Sequence, residues 1–287
     1  MAIHPSALVS PRAQIDADVR IGPLCIVEDD VTIGAGCILD AGVVVKSGVV
    51  LGRNNHIFEG AVIGGPPQHV HMPAKPGRVI IGSGNVIREN VTIHRALQPE
   101  RATLIGDNNL LMCNAHIAHD CQVGNNTIIV NNVMLAGHVV VEDRAYVSGA
   151  VAVHQFCRIG TLAMVGGQAH INKDVPPFVT VDGLSSYVVG LNTIGLRRAG
   201  FDAQTIARLK AAYRVIYRSG LPWGEILERL RTEFNYGPAA EFYRFLSTTA
   251  RGIVPQRRDS SPHTIKLPHA EDFELEAGLD MAKRAAS

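Results

Sequence analysis

The sequence predicts an all-β parallel β-helix followed by a small α-helical region, and three observations predict it. Every sixth residue from Ile3 is aliphatic: Ile3, Val9, Ile15, Ile21, Val27, Ile33, Leu39, Val45, Leu51, Ile57 and Ile63. The series resumes at Ile105 and runs through Leu111, Ile117, Val123, Ile129, Leu135, Val141, Val147, Val153, Ile159 and Val165 to Ile171 without exception. Four residues after each stands a mostly small residue, such as Ala7, Ala13, Cys25, Ala115, Cys121 and Ala145. From Asp202 onward the hydrophobic period becomes helical.

A period of six is neither the 3.6 of a helix nor the alternation of an ordinary strand. It fits a short strand plus a corner, repeated, with the aliphatic and the small residue pointing inward. Each coil of such a solenoid buries its apolar positions only against its neighbours. The β-helix should occupy residues 1–180. It is interrupted near 64–78, where Pro and Gly crowd the chain, and again near 95–102, with a short return through Ile81, Ile87 and Ile93 between them. Long loops on a rigid scaffold commonly carry function.

Residues 181–252 form the predicted C-terminal helical domain. Residues 179–195 carry no assignable pattern. One helix starts at the N-cap Asp202, buries Ile206, Leu209, Tyr213 and Ile216, and stops at Gly220. A second is expected over 222–234 and a third over 238–250. The polar stretch 253–287, with Pro255, Pro262 and Pro268, is expected to be a mobile tail.

Composition excludes several function classes. The net charge is +1 over 287 residues, so nothing points to nucleic acid or to an anionic membrane surface. No apolar run reaches the length of a membrane span, and the N-terminus lacks a basic, apolar leader; the expectation is a cytoplasmic protein. Cys25, Cys37, Cys121 and Cys157 all fall at the small inward position, which favours buried apolar thiols over disulfides or metal ligands.

The densest polar cluster in the repeat is Asn114-Ala-His-Ile-Ala-His-Asp-Cys121. The six-residue period resembles the left-handed hexapeptide-repeat family, in which three hexads make one coil of about 18 residues. That implies that His119 stands one coil from Gly137-His138, and His138 one coil from His154-Gln155. A histidine is a base near neutral pH. A carboxylate on its other nitrogen fixes the tautomer and stabilises the imidazolium. Adjacent strand residues point to opposite faces, so Asp120 serves His119 only if a corner brings them together. Gly137 offers a backbone N–H that no side chain screens, a candidate oxyanion donor.

These motifs, with Leu-Ala-Gly-His (135–138), Ala-Val-His-Gln-Phe-Cys (152–157), Met-Val-Gly-Gly (164–167), Asp-Val-Pro-Pro (174–177) and Tyr-Arg-Ser-Gly (217–220), resemble the UDP-N-acetylglucosamine acyltransferases of lipid A synthesis. The resemblance covers roughly residues 1–252 and implies that the β-helix is left-handed. It implies transfer of a 3-hydroxyacyl chain from acyl carrier protein, as a phosphopantetheine thioester, to the sugar 3-hydroxyl. His119 is then the base, Asp120 its partner and Gly137 the oxyanion donor. His116, His138 and Gln155 line the substrate cleft, Asn192 and Arg198 hold the nucleotide and phosphates, and Gly167 limits the acyl chain. It implies no metal, no further cofactor, and a homotrimer with active sites between subunits.

The chain departs from the family pattern in two places. Gln68-His69-Val70-His71 stands where the family has Gln-Asp-Leu-Lys, so His69 and His71 replace the Asp and Lys that touch the sugar. Ile194 stands where the family tends to have Glu near the nucleotide base. Two other readings remain beside the main one. One is an acyl- or acetyltransferase on the same scaffold with a coenzyme A donor, a 3-amino sugar or a different nucleotide. The other is a zinc lyase of the carbonic-anhydrase kind, with His116, His119 and His138 as ligands.

Overall fold

The structure, a computed structural model, describes residues 2–257. The chain winds as a left-handed parallel β-helix whose strands stack into three parallel sheets. Sheet A begins at Ala2–Ile3, sheet B at Leu8–Val9 and sheet C at Gln14–Ile15. Ile3 pairs with Ile21, and Ile21 with Leu39, so one coil takes 18 residues. Most strands are two residues long because a corner follows every one. Their hydrogen bonds all run to the coils above and below.

The period of six follows from what each position must do. The aliphatic residue points into the prism, and most are fully buried from Ile33 to Ile171. Each contributes about 1.5–3 kcal/mol relative to exposure. The residue three places on, at 24, 30, 36, 54 and every sixth position through 168, has positive φ in nearly every coil. Asn, Asp and Gly recur there because they reach this conformation at least cost. Inside the corner joining sheets C and A, Asn55, Asn85, Asn109 and Thr127 replace the small apolar residue. They form a buried ladder: Asn85 and Asn109 donate backbone N–H to Asn55 Oδ1 and Asn85 Oδ1, each at 2.9 Å, and Thr127 donates to Asn109 Oδ1 at 2.7 Å.

The chain leaves the coil twice, at 66–77 and 95–101, each time between a sheet B strand and a sheet C strand. Both excursions therefore project from the same edge of the prism. Leu51 pairs with Ile81, where a plain coil would place residue 69, and Ile81 pairs with Ile105, where it would place residue 99. The extra lengths are twelve and six residues, so the inward phase survives both.

Residues 179–195, which carry no pattern in the sequence, form Val179–Val181 and an antiparallel return Val188–Leu191 on the end of sheet A. Helix α1 (Thr193–Arg198) follows, then α2 (Ala203–Arg218), α3 (Trp223–Glu233) and α4 (Ala240–Leu246). Asp202 caps α2 by accepting from Thr205 N–H at 2.7 Å. Helix α4 ends four residues short of the expected Ala250. Past Leu246 the Ser247 and Thr248 hydroxyls turn back onto the carbonyl of Arg244, and Thr249 donates to Asp174 at 2.6 Å. Side chains that take backbone carbonyls compete with helix propagation.

The helices bury Leu209 with Phe178, Phe242 and Phe245 in a mixed aliphatic and aromatic cluster, unlike the mainly aliphatic interior of the prism. Arg158 joins the two: its guanidinium pairs with Glu142 at 2.9 Å and lies 4.0 Å over the Phe245 ring. The chain through Gln256 forms one compact unit. Residues expected to open the polar tail are still paired, Ile253 with Asp174 and Gln256 with Val188; the rest of the tail, beyond Arg257, lies outside the described residues. No helix among the described residues is long and apolar enough to cross a membrane.

Candidate active site

His119 and Asp120 sit on a corner between sheets B and C, not within a strand. Asp120 adopts φ +60°, and this left-handed turn brings its carboxylate back to its neighbour: Asp120 Oδ2 lies 2.9 Å from His119 Nδ1. The alternation that separates adjacent strand residues does not apply at a corner. Both side chains are buried, at 9% and 5% exposure. With Nδ1–H donating to the carboxylate, Nε2 carries the lone pair.

The excursion at 95–101 explains how Asp120 is held. Elsewhere on this edge the left-handed residue donates its N–H to the coil below, as His138 does to the His119 carbonyl and Phe156 to that of Gly137. Below Asp120 the regular corner is replaced by the excursion. The Thr103 hydroxyl takes the Asp120 N–H instead at 2.9 Å, and Leu97 N–H donates to Asp120 Oδ2 at 3.0 Å. Thr103 and Leu97 escaped the sequence reading, because neither carries chemistry by residue type.

Gly137 stands one coil above His119. A Cβ there would lie 2.5 Å from His119 Cε1 and 2.7 Å from Nε2, so only glycine leaves the ring its place. Among the described residues no backbone hydrogen bond takes the Gly137 N–H. Prolines fill the same hexad position at Pro5, Pro11 and Pro23, so the prism does not require an N–H there, although Ser47 lower on this edge gives its own to Glu28 Oε2 at 3.0 Å.

The loop 66–77 folds its His69 against the same corner. The His69 ring meets the His119 ring edge-on at 5.7 Å, and His138 meets it from the other side at 5.2 Å. His138 Nε2 is 4.0 Å from Asp120 Oδ2. Burial holds the His138 pKa below the usual histidine range; Asp120 opposes this, while His119, Arg101 and His69 add to it. Phe156 stacks on His138 at 4.5 Å, and Arg101 joins His138 and Asp120 around a cleft of about 320 Å³. Phe156 stands at a corner place in step with Asp120, with φ 65°, and its position in the column of residues 120, 138 and 156 was the sequence signal that could have found it.

The remaining candidates lie elsewhere. His71 is an exposed loop residue whose N–H donates to His69 Nδ1 at 3.1 Å. His116 faces out of sheet B, bonded to Thr92 Oγ1 at 2.8 Å and 5.0 Å from His94. Burial, with help from His94, lowers its pKa. Gln155 follows Gly137 up the edge and is exposed. Gly167 stands on the edge between sheets A and B, its nearest obstacle the Gly149 carbonyl at 3.3 Å from a would-be Cβ. Asn192, Ile194 and Arg198 line a separate cavity of about 640 Å³ beside sheet A. Asn192 also caps α1, accepting from Gly195 N–H at 3.0 Å and donating to the Leu162 carbonyl at 3.0 Å.

His116, His119 and His138 do not converge as a three-histidine zinc site. The group of described residues with metal-like spacing is His119, Asp120 and His138, and two of its ligand atoms are already bonded to each other. Burial pushes Cys121 up to about 12 and Cys157 to about 11, which removes both as nucleophiles.

Known proteins are similar to this chain in sequence and fold. The model for domain 2 of UDP N-acetylglucosamine O-acyltransferase matches residues 174–254, and the bacterial transferase hexapeptide model matches 12–47 and 102–137. The acyl-(acyl-carrier-protein)–UDP-N-acetylglucosamine O-acyltransferase of Janthinobacterium sp. (strain Marseille) is 48% identical over 88% of this chain and 98% of its own length. The structure of the Acinetobacter baumannii protein superposes with a TM-score of 0.85 at 41% identity, over 88% of this chain and all of that one. The Francisella novicida UDP-N-acetylglucosamine acyltransferase gives 0.86 at 36%, over 93% and 99%. With a relative 48% identical over nearly its full length and the hexapeptide and C-terminal family models both matching, the chain belongs to the UDP-N-acetylglucosamine O-acyltransferase family.

Proposed function

We propose that this chain transfers a 3-hydroxyacyl group from acyl carrier protein to the 3-hydroxyl of UDP-N-acetylglucosamine, the first step of lipid A synthesis, in the cytoplasm. The observation that carries the mechanism is the buried His119–Asp120 pair at 2.9 Å beside the unscreened Gly137 N–H. His119 Nε2 takes the proton of the sugar 3-hydroxyl as its oxygen attacks the thioester carbonyl. Asp120 stabilises the imidazolium that forms. The oxyanion of the tetrahedral intermediate accepts from Gly137 N–H. Collapse breaks the carbon–sulfur bond, and the departing thiolate takes the proton back from His119. The products are the O-acylated nucleotide sugar and the free thiol of acyl carrier protein. No step calls for a metal or a further cofactor.

His69, His138 and Gln155 border the acceptor sugar, with His71 and His116 behind them. Asn192 and Arg198 hold the nucleotide end, and Gly167 leaves room for a long acyl chain. The His119 corner and the Arg198 cavity stand on different edges of the prism, one side apart. That supports a homotrimer in which each site forms between subunits.

The test is acyl transfer from a 3-hydroxyacyl carrier protein to UDP-N-acetylglucosamine, run beside the 3-amino analogue, a coenzyme A donor and the His119→Ala variant. Turnover of the first pair, lost in the variant, supports the reaction. Preference for the amino sugar or for coenzyme A would overturn the acceptor or the donor, and light scattering of a fully active monomer would overturn the trimer.

A further inference from the structure

The cavity beside sheet A has a lining the fold alone does not require. Arg144 and Arg198 both face it, along with Asn126, Tyr146 and Asn192. Among the described residues neither arginine takes part in an ion pair or a side-chain hydrogen bond. The nearby acids are committed elsewhere. Asp143 Oδ1 accepts from the Asn125 backbone at 2.7 Å and from its side chain at 3.2 Å. Glu142 pairs with Arg158 at 2.9 Å. Two guanidinium groups without a counter-charge on one concave surface make an anion site.

The backbone adds an independent argument. Arg144 has φ +58°. On lower coils of this edge the same position is Gly36, Asn54, Gly84, Asn108 and Asn126; on the coil above it is Leu162, whose side chain packs into the core of the helical region, whereas Arg144 is exposed. Asn and Gly reach the left-handed region readily, and a long side chain does not. The backbone gains nothing from an arginine here, so its reason lies in what the guanidinium touches.

We infer that Arg144 is a second phosphate contact, which with Arg198 clamps the diphosphate of the nucleotide sugar. This rests on the transferase reading and goes into its nucleotide end. A diphosphate ester carries two negative charges, and a guanidinium meets phosphate oxygens in a two-pronged geometry that lysine lacks.

Calorimetry with UDP and with uridine, on wild type, Arg144→Gln and Arg144→Lys, tests it. In the Gln variant UDP affinity should fall about tenfold or more, while uridine affinity stays. Lysine should restore part of the loss, and melting curves should show all three equally folded. In turnover the KM of the nucleotide sugar should rise with kcat nearly kept. Wild type that binds UDP and transfers, with a Gln variant that binds UDP equally well, overturns the role of Arg144 and leaves the transferase reading intact. Wild type that neither binds UDP nor transfers sinks both.

Discussion

At the edge between sheets C and A, the corner N–H of Ser83 donates to Asp107 Oδ1 at 2.6 Å, that of Asp107 to Asn125 Oδ1 at 2.8 Å, and that of Asn125 to Asp143 Oδ1 at 2.7 Å. At the edge between sheets B and C, the same corner N–H on His119, Gly137 and Gln155 meets no acceptor among the described residues. One edge uses this N–H to join coils; the other leaves it unpaired among the described residues at these three corners and carries the two excursions. Left-handed positions on the joined edge run Asn108, Asn126, Arg144 and Leu162, and on the open one Asp120, His138 and Phe156.

The largest effect should come from the open edge. His119→Ala should lower turnover by about 10²–10⁴-fold, the usual contribution of a positioned base, with an unchanged far-ultraviolet spectrum. Activity within a few fold of wild type would mean that the two edges do not differ in the way described. Gly137→Ala comes next. Its methyl would displace the His119 ring, and a misplacement of about 1 Å costs on the order of a hundredfold in kcat. Gly149→Ala is the control, since its Cβ would meet nothing nearer than 3.5 Å. Equal rates in the two variants would separate Gly137 from the chemistry.

On the joined edge the prediction reverses. Asp107→Ala removes one rung and should cost about 0.5–1.5 kcal/mol of stability, read by denaturant melts, with turnover kept. The smallest effect is a pH dependence. His116 and His138 both have lowered pKa values in the fold, mainly through burial. As pH falls below the ordinary 6.5, the unfolded chain binds protons that the folded chain refuses, so stability should drop there and not above it. Melting temperatures from pH 8 to pH 5 should decline on the acid side, and His116→Gln should flatten the decline. An unflattened curve would assign the loss to other groups.

Much of this contrast was legible in the sequence. The inward aliphatic column marks a hexapeptide β-helix, and the family resemblance adds its three sides and its hand. The Asp202 cap and the face through Leu209 give α2. The His119–Asp120 pair resisted, since strand alternation argues against it. The missing signal was a second column: residues 24, 30, 36 and onward by sixes are rich in Asn, Asp and Gly, which marks a left-handed turn and puts Asp120 on it. The buried Asn ladder was hidden because its members occupy places that small apolar residues fill elsewhere. Residues 179–195 were silent because two short antiparallel strands and a six-residue helix leave no periodic trace.

The two excursions carry a consequence for how such a chain can change. Their extra twelve and six residues are whole multiples of the repeat, so the inward side chains downstream stay in step. The prism behaves like a text read in words of six letters. A whole word added at a corner lengthens a loop and spares every later line, while a single letter added within a coil would turn each following aliphatic residue toward solvent. The natural unit of variation for this molecule is the hexad.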